Sequence, residues 1–260
     1  MKYIISDIHG CYEQYMALLE KIKFSSRDKL YVLGDVADRG PEPIKVFQDL
    51  LQRDNVTYIL GNHDYMFLYF LGRNGLDLAD KNLAECDSDV VAGFRMWLLD
   101  GGVTTAKQFI QLEAKDRAAI TTFLEKAKAY VVLEERGKGH GFSGLGQWMF
   151  RWKGENSRPI RYILMHAGMH NFRENKPLEE YDFLDFIDKR TDYSKRYYSD
   201  RNTFVVTGHT PTMCIHQDRR AEIYQGNGHI AVDCGCVFGG KLAAYVLETG
   251  NAVYVDGRHT

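Results

Sequence analysis

Short apolar runs and amphipathic stretches alternate along the first part of the chain. The apolar runs, which are typical of buried strands, lie at residues 3–6, 30–33 and 58–60. Apolar side chains spaced three or four positions apart predict helices between and after them, at residues 12–23, 42–53 and 65–71. Strands that alternate with helices at this spacing predict a parallel sheet with right-handed crossover connections.

The middle of the chain, residues 72–159, has a different pattern. Helices are predicted at residues 88–99 and 115–128, followed by a strand at 130–133. Two glycine-rich stretches, 137–141 and 143–146, lack the strand–loop–helix context of a nucleotide-phosphate loop, and we interpret them as connections. Because this region has few residues of metal-ligand type, we expect it to be an insertion or cap within a single domain that spans residues 1–260.

The last third of the chain returns to strands. Apolar runs at residues 162–165 and 204–207 are followed by His166 and His209. Two hairpins are then predicted around glycine-containing turns, within residues 223–232 and 242–255. We expect these hairpins to build a second, largely antiparallel sheet that packs on the first half of an α/β fold.

Polar side chains follow five of the predicted strands at the point where each strand ends. They are Asp7, His9, Asp35, Asn62, His166 and His209. Carboxylate, amide and imidazole donors together suit Mn²⁺, Fe²⁺ or Zn²⁺ better than Ca²⁺ or a thiolate site. Six donors are too many for one catalytic ion that keeps open positions. The sequence therefore predicts two divalent ions, preferably manganese with iron or zinc as alternatives, bridged by Asp35 and about 3.5 to 4 Å apart.

The same turns carry residues that phosphoester cleavage needs. A water shared by two cations loses its proton near neutral pH and can then attack phosphorus. The planar guanidinium of Arg39 can hold phosphate oxygens. His63, oriented by Asp38, can give a proton to the leaving group as a general acid.

Each candidate ligand has a simpler interpretation when it is taken alone. Asp7 could cap a helix and Asn62 could be a turn residue. His166 and His209 could be core histidines with satisfied hydrogen bonds. Because all of them fall at strand ends in one repeating arrangement, the metal-site interpretation is favoured.

Composition and charge exclude several classes of partner. A formal net charge of -2 over 260 residues gives no basic surface for nucleic acid. No secretory signal pattern is present at the start of the sequence, and the densest apolar run, residues 65–71, is too short to cross a bilayer. Five cysteines without zinc-type spacing fit a reducing compartment. We therefore expect a cytoplasmic protein with no nucleic-acid or membrane partner.

The order of these motifs resembles that of the calcineurin-like metallophosphoesterases, and most of all their bacterial serine/threonine protein phosphatase branch. The matching blocks lie at residues 7–10, 34–40, 61–64, 166–168, 208–210 and 233–241. The resemblance implies two mixed β-sheets in a four-layer αββα sandwich with flanking helices.

The resemblance also implies a role for each residue. The first metal ion would be held by Asp7, His9 and Asp35, and the second by Asp35, Asn62, His166 and His209. His63 and Asp38 would form the acid pair, and Arg39 and Asn62 would contact the substrate phosphate. Arg190 is the candidate for the family's second phosphate arginine, ahead of Arg196 and Arg201, although it lacks the tryptophan that usually precedes that arginine.

Two departures from the branch bear on the substrate. Asp64 stands where the branch usually has glutamate, as in the related symmetrical diadenosine tetraphosphate hydrolases. Those relatives typically lack the aspartate that is present here as Asp38.

Three functional hypotheses follow. The first is a phosphomonoesterase of the protein phosphatase type, with a hydroxide between two metal ions, acting on a phosphorylated protein, a nucleotide or a small molecule. The second is symmetrical diadenosine tetraphosphate hydrolysis, indicated by Asp64. The third is a catalytically inactive scaffold of the same fold, against which the complete set of ligands and the acid histidine argue.

Overall fold

A computed structural model describes residues 1–73, 87–135 and 158–257. Its first sheet begins with three parallel strands, β1 (Lys2–Ile5), β2 (Lys29–Val32) and β3 (Val56–Tyr58). The connecting helices are α1 (Tyr12–Lys21) and α2 (Pro43–Leu51), and α3 (Asn62–Phe67) follows β3 and continues into a π-helical turn, Leu68–Arg73. The predicted strand–helix repeat is therefore present, with α3 beginning three residues earlier than predicted.

Two strands from the end of the chain complete this sheet. Strands β9 (Lys241–Val246) and β10 (Asn251–Asp256) form a hairpin, and β9 pairs antiparallel with β1 to give the order β10-β9-β1-β2-β3. The expectation that this hairpin belongs to the second sheet is wrong. Residues 242–247 are all buried, because β9 lies inside a sheet that is covered on both faces.

The second sheet is mixed rather than largely antiparallel. It contains β4 (Tyr130–Glu135), β5 (Ile160–Met165), β6 (Thr203–Thr207), β7 (Tyr224–Gly226) and β8 (His229–Ala231), in the order β4-β5-β6-β8-β7. Strands β5, β6 and β8 are parallel, whereas the edge strands β4 and β7 run antiparallel to their neighbours. Strand β4 lies within the predicted insertion, and it forms an edge of this sheet.

The two sheets pack face to face. One buried cluster joins Ile4 and Leu33 of the first sheet region to Leu164 and Val206 of the second. Alternate residues of the first sheet, such as Ile5 and Val32, point to the opposite face and pack in a second cluster with the helices. Because side chains alternate along each strand, this arrangement gives helices outside two central sheets.

Helices from the middle region cover α2 and α3. They are α4 (Ser88–Trp97), α5 (Val103–Ile110) and α6 (Ala114–Glu125), with a kinked π-helical turn, Leu98–Gly102, between the first two. The kink lies at Asp100 and Gly101, where φ of Gly101 is 109°.

The glycine-rich stretches 137–141 and 143–146 and the cysteine at position 86 lie outside the described residues. No helix within the described ranges 1–73, 87–135 and 158–257 is long and apolar enough to cross a bilayer.

Candidate metal and catalytic site

The loops that follow β1 and β2 are tied together through their backbones. The N–H of His9 donates to the carbonyl of Asp35 at 2.9 Å, and that of Gly10 donates to the carbonyl of Val36 at 2.9 Å. The N–H of Asp7 donates to the carbonyl of Gly34 at 3.1 Å. These bonds fix the relative positions of the two loops at the carboxyl end of the parallel strands.

Several site residues have left-handed backbone conformations, which non-glycine residues adopt uncommonly. The residues, with their φ angles, are Asp7 (51°), His9 (42°), Asp35 (53°), Asp38 (73°), Arg39 (66°) and His209 (62°). Such strained residues persist where the surrounding structure fixes them, and they tend to cluster at functional sites.

Asp35 is the residue common to two groups of metal-ligand side chains. One group is His9, Asp35 and His63, and the other is Asp35, His166 and His209; within each group the ligand atoms lie within 4.8 Å of one another. Oδ2 of Asp35 is 3.7 Å from Nε2 of His9 and 3.4 Å from Nε2 of His166. A carboxylate placed between two such groups has the geometry of a bridging ligand.

Asn62 completes the second group. Its Oδ1 lies 3.0 Å from Nε2 of His166 and 3.0 Å from Nδ1 of His209. Amide oxygen, carboxylate oxygen and imidazole nitrogen thus converge on one point, and this donor set fits a divalent transition metal.

Backbone carbonyls set the orientation of two histidines. Nδ1 of His9 is 2.7 Å from the carbonyl oxygen of Ala37, and Nδ1 of His166 is 2.6 Å from that of Leu33. A carbonyl can only accept, so each Nδ1 donates and Nε2 of each ring is left facing Asp35. This is the arrangement by which proteins usually orient histidine ligands.

Asp7 is buried beside the second group but belongs to neither of the two groups described above. Its Oδ2 accepts hydrogen bonds from the N–H of His209, at 2.9 Å, and from the Ser6 hydroxyl. Burial and the charge of the neighbouring Asp233 raise the pKa of Asp7 well above its usual value, and burial raises the pKa of Asp233 to about 6. Two buried carboxyls in one region indicate a place that favours a cation. The role of Asp7 as a ligand of the first ion stays a prediction.

The pKa values of Asp35 and of the histidines around it depend on one another's charges. Burial raises the pKa of Asp35, but the charges of His166, His63 and His9 outweigh it and hold the pKa well below its usual range. Burial lowers the pKa of His166, but the charge of Asp35 outweighs it and raises the pKa to about 10. Burial lowers the pKa of His9 to about 3, and burial together with the charge of His166 lowers that of His209 to about 4. His9 and His209 are therefore neutral near pH 7, whereas His166 would lose a proton on binding a cation, because a histidine ligand must be neutral.

His63 and Asp38 are in direct contact. Nδ1 of His63 is 2.8 Å from Oδ2 of Asp38. Burial lowers the pKa of His63, but the charge of Asp35 and the bond to Asp38 outweigh it, and the net direction is upward. The histidine thus holds a proton more readily than usual, as a general acid requires.

Arg39 lies beside both His9 and His63. Its Nη1 is 2.7 Å from Nε2 of His9, and its Nη2 is 2.7 Å from Nε2 of His63. The ring centroid of Phe238, an exposed residue, is 5.4 Å from the guanidinium carbon. The arginine therefore places positive charge beside two histidines of the site, and its role in binding phosphate stays a prediction.

The structure separates two of the candidates for the second phosphate arginine. Arg190 is exposed, and its positive charge contributes to the lowered pKa of His209, so it lies near the site. Arg196 donates to the carbonyls of Asp200 and Thr203, at 3.1 and 3.4 Å, which ties it to the backbone. The assignment of Arg190 stays a prediction.

The sequence analysis did not identify the structural role of Asp64. Its carboxylate accepts hydrogen bonds from the Tyr58 hydroxyl at 2.7 Å and from four backbone N–H groups, those of Asp35, Val36, Ala37 and Gly61. The residue is fully buried beneath the Asp35 loop. The sequence feature that could have indicated this role is an acidic residue three positions after Gly61, at the start of a helix. Because the carboxylate is engaged with the backbone of the fold, the identity of Asp64 bears on the Asp35 loop more directly than on the substrate.

Trp97, Asp100 and Thr105 are further site residues that the sequence analysis missed. Trp97 and Thr105 bind Asp38, and Asp100 lies 3.3 Å from Nη2 of Arg39 and 3.6 Å from Nε2 of His63. These contacts join residues that are between 37 and 67 positions apart in the chain, and no local pattern marks them.

Two packed mixed sheets, with carboxylate, amide and imidazole donors collected at the ends of their strands, define a metallophosphoesterase. The chain belongs to the calcineurin-like phosphoesterase family, whose sequence model matches residues 3–255. It is therefore a hydrolase, and the resemblance found in the sequence is confirmed.

The chain is similar in sequence to proteins named bis(5'-nucleosyl)-tetraphosphatases. Over 259 residues the chain is 27% identical to the asymmetrical bis(5'-nucleosyl)-tetraphosphatase PrpE of Anoxybacillus flavithermus, a match that covers 93% of this chain and 88% of that protein. A shorter match, 50% identical over 64 residues, is to the symmetrical bis(5'-nucleosyl)-tetraphosphatase of Buchnera aphidicola and covers 24% of this chain and 23% of that protein.

Solved structures share the fold. A candidate diadenosine tetraphosphatase aligns with a TM-score of 0.56 at 20% identity, covering 100% of this chain and 94% of the other. A protein serine/threonine phosphatase of Saccharomyces cerevisiae aligns with a TM-score of 0.52 at 12% identity, covering 100% of this chain and 80% of the other. These structures confirm the predicted class of two mixed sheets flanked by helices.

Proposed function

We propose that the protein is a two-metal phosphomonoesterase that transfers a phosphoryl group directly to water. The observation that carries this proposal is that Asp35 belongs to two groups of metal-ligand side chains. One of these groups includes His63, the proposed acid, which contacts Asp38 and Arg39. When bound, two divalent ions would supply an acidified water and a Lewis acid for the phosphate oxygens.

The ligands divide between the two ions as the family resemblance implies. The proposed ligands are Asp7, His9 and Asp35 for the first ion, and Asp35, Asn62, His166 and His209 for the second. Manganese is the preferred metal, with iron or zinc as alternatives, because the donor set mixes hard oxygen with imidazole nitrogen and contains no thiolate.

Arg39 and Arg190 would bind the phosphate, and His63 would serve the leaving group. As the oxygen of a water that has already lost one proton to solvent bonds to phosphorus, the ester P–O bond breaks and its electron pair goes to the leaving oxygen. In the structure Nη2 of Arg39 lies 2.7 Å from Nε2 of His63 and can only donate to it, so in the proposed step Arg39 moves to the phosphate oxygens and Nε2 takes up a proton. The leaving oxygen receives that proton from Nε2, while Nδ1 is held by Asp38 at 2.8 Å. A positioned acid of this kind contributes roughly a hundred- to ten-thousand-fold to the rate.

The acid pair favours an ester whose leaving group is a strong base. An alkoxide, such as that of phosphoserine, departs only when it is protonated, whereas a nucleoside polyphosphate is already a stable anion. The buried His63–Asp38 pair therefore has most use on a phosphomonoester of an alcohol.

Dinucleoside polyphosphate hydrolysis is the second candidate. It is favoured by the name of the PrpE relative, which the match covers to 88% of its length. Hydrolysis of a phosphoserine peptide panel and of diadenosine tetraphosphate, both with Mn²⁺, separates the candidates. Faster turnover of the tetraphosphate by an order of magnitude would overturn the phosphomonoesterase proposal.

The role of His63 gives a first mutational test. His63→Asn should keep the metal content but lower kcat on a phosphoserine peptide by about a hundredfold or more, because the leaving alkoxide loses its acid. His216→Asn is the matched control, since Nε2 of His216 binds the Glu222 carbonyl at 2.9 Å and has no proposed catalytic role. Unchanged turnover by His63→Asn, with metal content equal to wild type, would remove His63 from the mechanism.

A further inference from the structure

We propose that Trp97 and Thr105 are positioning residues that fix the Asp38 carboxylate, so that the α4–α5 segment acts in the leaving-group step. The inference rests on the proposed function, in which Asp38 holds His63. It assigns to this segment a part in catalysis in addition to any part in substrate choice.

The contacts of Asp38 carry the inference. Nε1 of Trp97 donates to Oδ2 of Asp38 at 2.6 Å, and the Thr105 hydroxyl donates to Oδ1 at 2.6 Å. The same hydroxyl accepts a hydrogen bond from the backbone N–H of Asp38 at 2.8 Å. Nδ1 of His63 also binds Oδ2, so both oxygens of the Asp38 carboxylate have hydrogen-bond partners. These partners fix the plane of the carboxylate.

The three residues are removed from water. Asp38 and Thr105 are fully buried and Trp97 is 1% exposed. A hydrogen bond to a charged group is stronger in such surroundings, and a buried carboxylate that loses a partner is destabilised. A misplaced Asp38 would rotate His63 and move its Nε2 away from the leaving oxygen.

The Trp97 indole is itself held in place. Its ring packs against Phe67, Phe70 and Phe94, with centroids 6.4, 5.8 and 5.8 Å away. A Cβ atom added to Gly102 would lie 2.5 Å from the indole ring. A buried indole N–H needs an acceptor, and here the acceptor is the Asp38 carboxylate that also holds His63.

The backbone of the same segment also holds the loop that carries Asp38. The N–H of Arg39 donates to the carbonyl of Gly101 at 3.1 Å. A Cβ atom added to Gly101 would lie 2.9 Å from that nitrogen, so the two backbones are in close contact. The kinked turn between α4 and α5 is thus packed against the catalytic loop.

The positioning role of Trp97 and Thr105 is tested by measuring how kcat/KM depends on the basicity of the leaving group. Phenyl phosphate releases the more basic phenoxide, whose departure is assisted by a proton, whereas 4-nitrophenyl phosphate releases a weakly basic one that leaves readily without a proton. Trp97→Phe and Thr105→Val should lower kcat/KM for phenyl phosphate by about tenfold to a hundredfold, and that for 4-nitrophenyl phosphate by less than about threefold.

Two further variants distinguish a positioning role of Trp97 from a purely structural role in the aromatic core. Phe109→Leu alters the same aromatic core, where the Phe109 ring lies 4.8 Å from that of Phe67, and it should slow both substrates equally. In an Asp38→Asn background, Trp97→Phe should cause no further change in the ratio of the two rates, because residues that act as a unit are not additive.

The outcomes are distinct. If the wild-type protein hydrolyses neither ester with Mn²⁺, the proposed function fails and this inference fails with it. If the wild type is active but Trp97→Phe and Thr105→Val slow both esters equally, as Phe109→Leu does, this inference alone is overturned. Urea unfolding of each variant shows whether it is folded under the assay conditions, and Thr105→Ser should restore the wild-type ratio because it keeps the hydroxyl.

Discussion

Gly61 lies so close to Asp35 that a side chain has no room between them. A Cβ atom at Gly61 would be 2.1 Å from Oδ1 of Asp35 and 2.5 Å from its backbone nitrogen. The N–H of His63 donates to the same Oδ1 at 3.0 Å, so the turn that contains Gly61 also orients the carboxylate. The close approach of Gly61 and the hydrogen bond from His63 therefore restrict the position of the Asp35 carboxylate.

Gly61→Ala should displace Asp35 and weaken Mn²⁺ binding by about tenfold to a hundredfold, as loss of an orienting contact does at other metal sites. Calorimetric titration of the metal-free protein with Mn²⁺ measures this. Gly72→Ala is the control, because its Cβ would meet the flexible end of the Leu68 side chain at 2.9 Å. Equal affinity in the two variants would show that Gly61 does not set the Asp35 geometry.

His229 gives a prediction about pH and stability. It is buried, with its ring edge-on to Tyr197 at 4.7 Å and Nε2 bound to the Lys195 carbonyl at 2.8 Å. Burial lowers the pKa of His229 below its usual value of 6.5. The unfolded chain therefore binds this proton more readily, and the stabilisation present above pH 6.5 is lost as the pH falls.

Urea unfolding of wild type and His229→Gln between pH 7.5 and 5 isolates this effect, because other titrating groups are common to both proteins. The wild type should lose stability relative to the variant, with a slope of no more than about 1.4 kcal/mol per pH unit for one proton. A constant difference across this range would mean that His229 does not titrate on unfolding.

At the residue scale, strand-end placement was sufficient to select the candidate ligands, and the structure brings His9, Asp35, Asn62, His166 and His209 together. The roles of Asp64 and Trp97 were not predictable, since they depend on which distant groups a buried side chain meets. Contacts that join residues 27 to 59 positions apart leave no periodic pattern in a single sequence.

At the scale of helices and strands, the fold prediction was partly correct and partly wrong, for reasons that differ between elements. Helices α1, α2, α4 and α6 were predicted from apolar spacing within a few residues of their ends. Helix α5 was missed because it begins at Val103 and Thr104, directly after two glycines, where β-branched residues lower helix propensity. The hairpin of β9 and β10 was recognised but placed in the wrong sheet, because turn signals show which strands pair with each other and not which edge they join.

The turn between α4 and α5 also places Asp100 at the site. Its carboxylate, 57% exposed, lies near both Arg39 and His63, the residue proposed to protonate the leaving group. A negative charge there opposes a leaving group that itself carries phosphates, and two charges about 4 Å apart in water interact by about 1 kcal/mol.

Asp100→Asn should therefore raise kcat/KM for diadenosine tetraphosphate relative to 4-nitrophenyl phosphate by about fivefold at low salt, and the gain should shrink as salt is added. Asp218→Asn, which removes an exposed carboxylate paired with Arg220, is the control. A ratio that stays constant or falls in Asp100→Asn would show that this charge does not select against polyphosphates.

At the scale of the molecule, the site exists only because the two sheets meet. Asp35 and Asn62 follow strands of the first sheet, whereas His166 and His209 follow strands of the second. The two-sheet class was predictable because the motif order resembles a known family. The resemblance also implied mixed sheets, whereas the apolar and turn patterns alone favoured an antiparallel second sheet, since the parallel contacts of β5, β6 and β8 join segments far apart in the chain.

The bridging position of Asp35 is the central claim, and anomalous diffraction from crystals grown with Mn²⁺ tests it most directly. The account predicts two manganese peaks about 3.5 to 4 Å apart, each within bonding distance of the Asp35 carboxylate, and the loss of both from Asp35→Ala. A single peak, or two peaks that do not share Asp35, would contradict it.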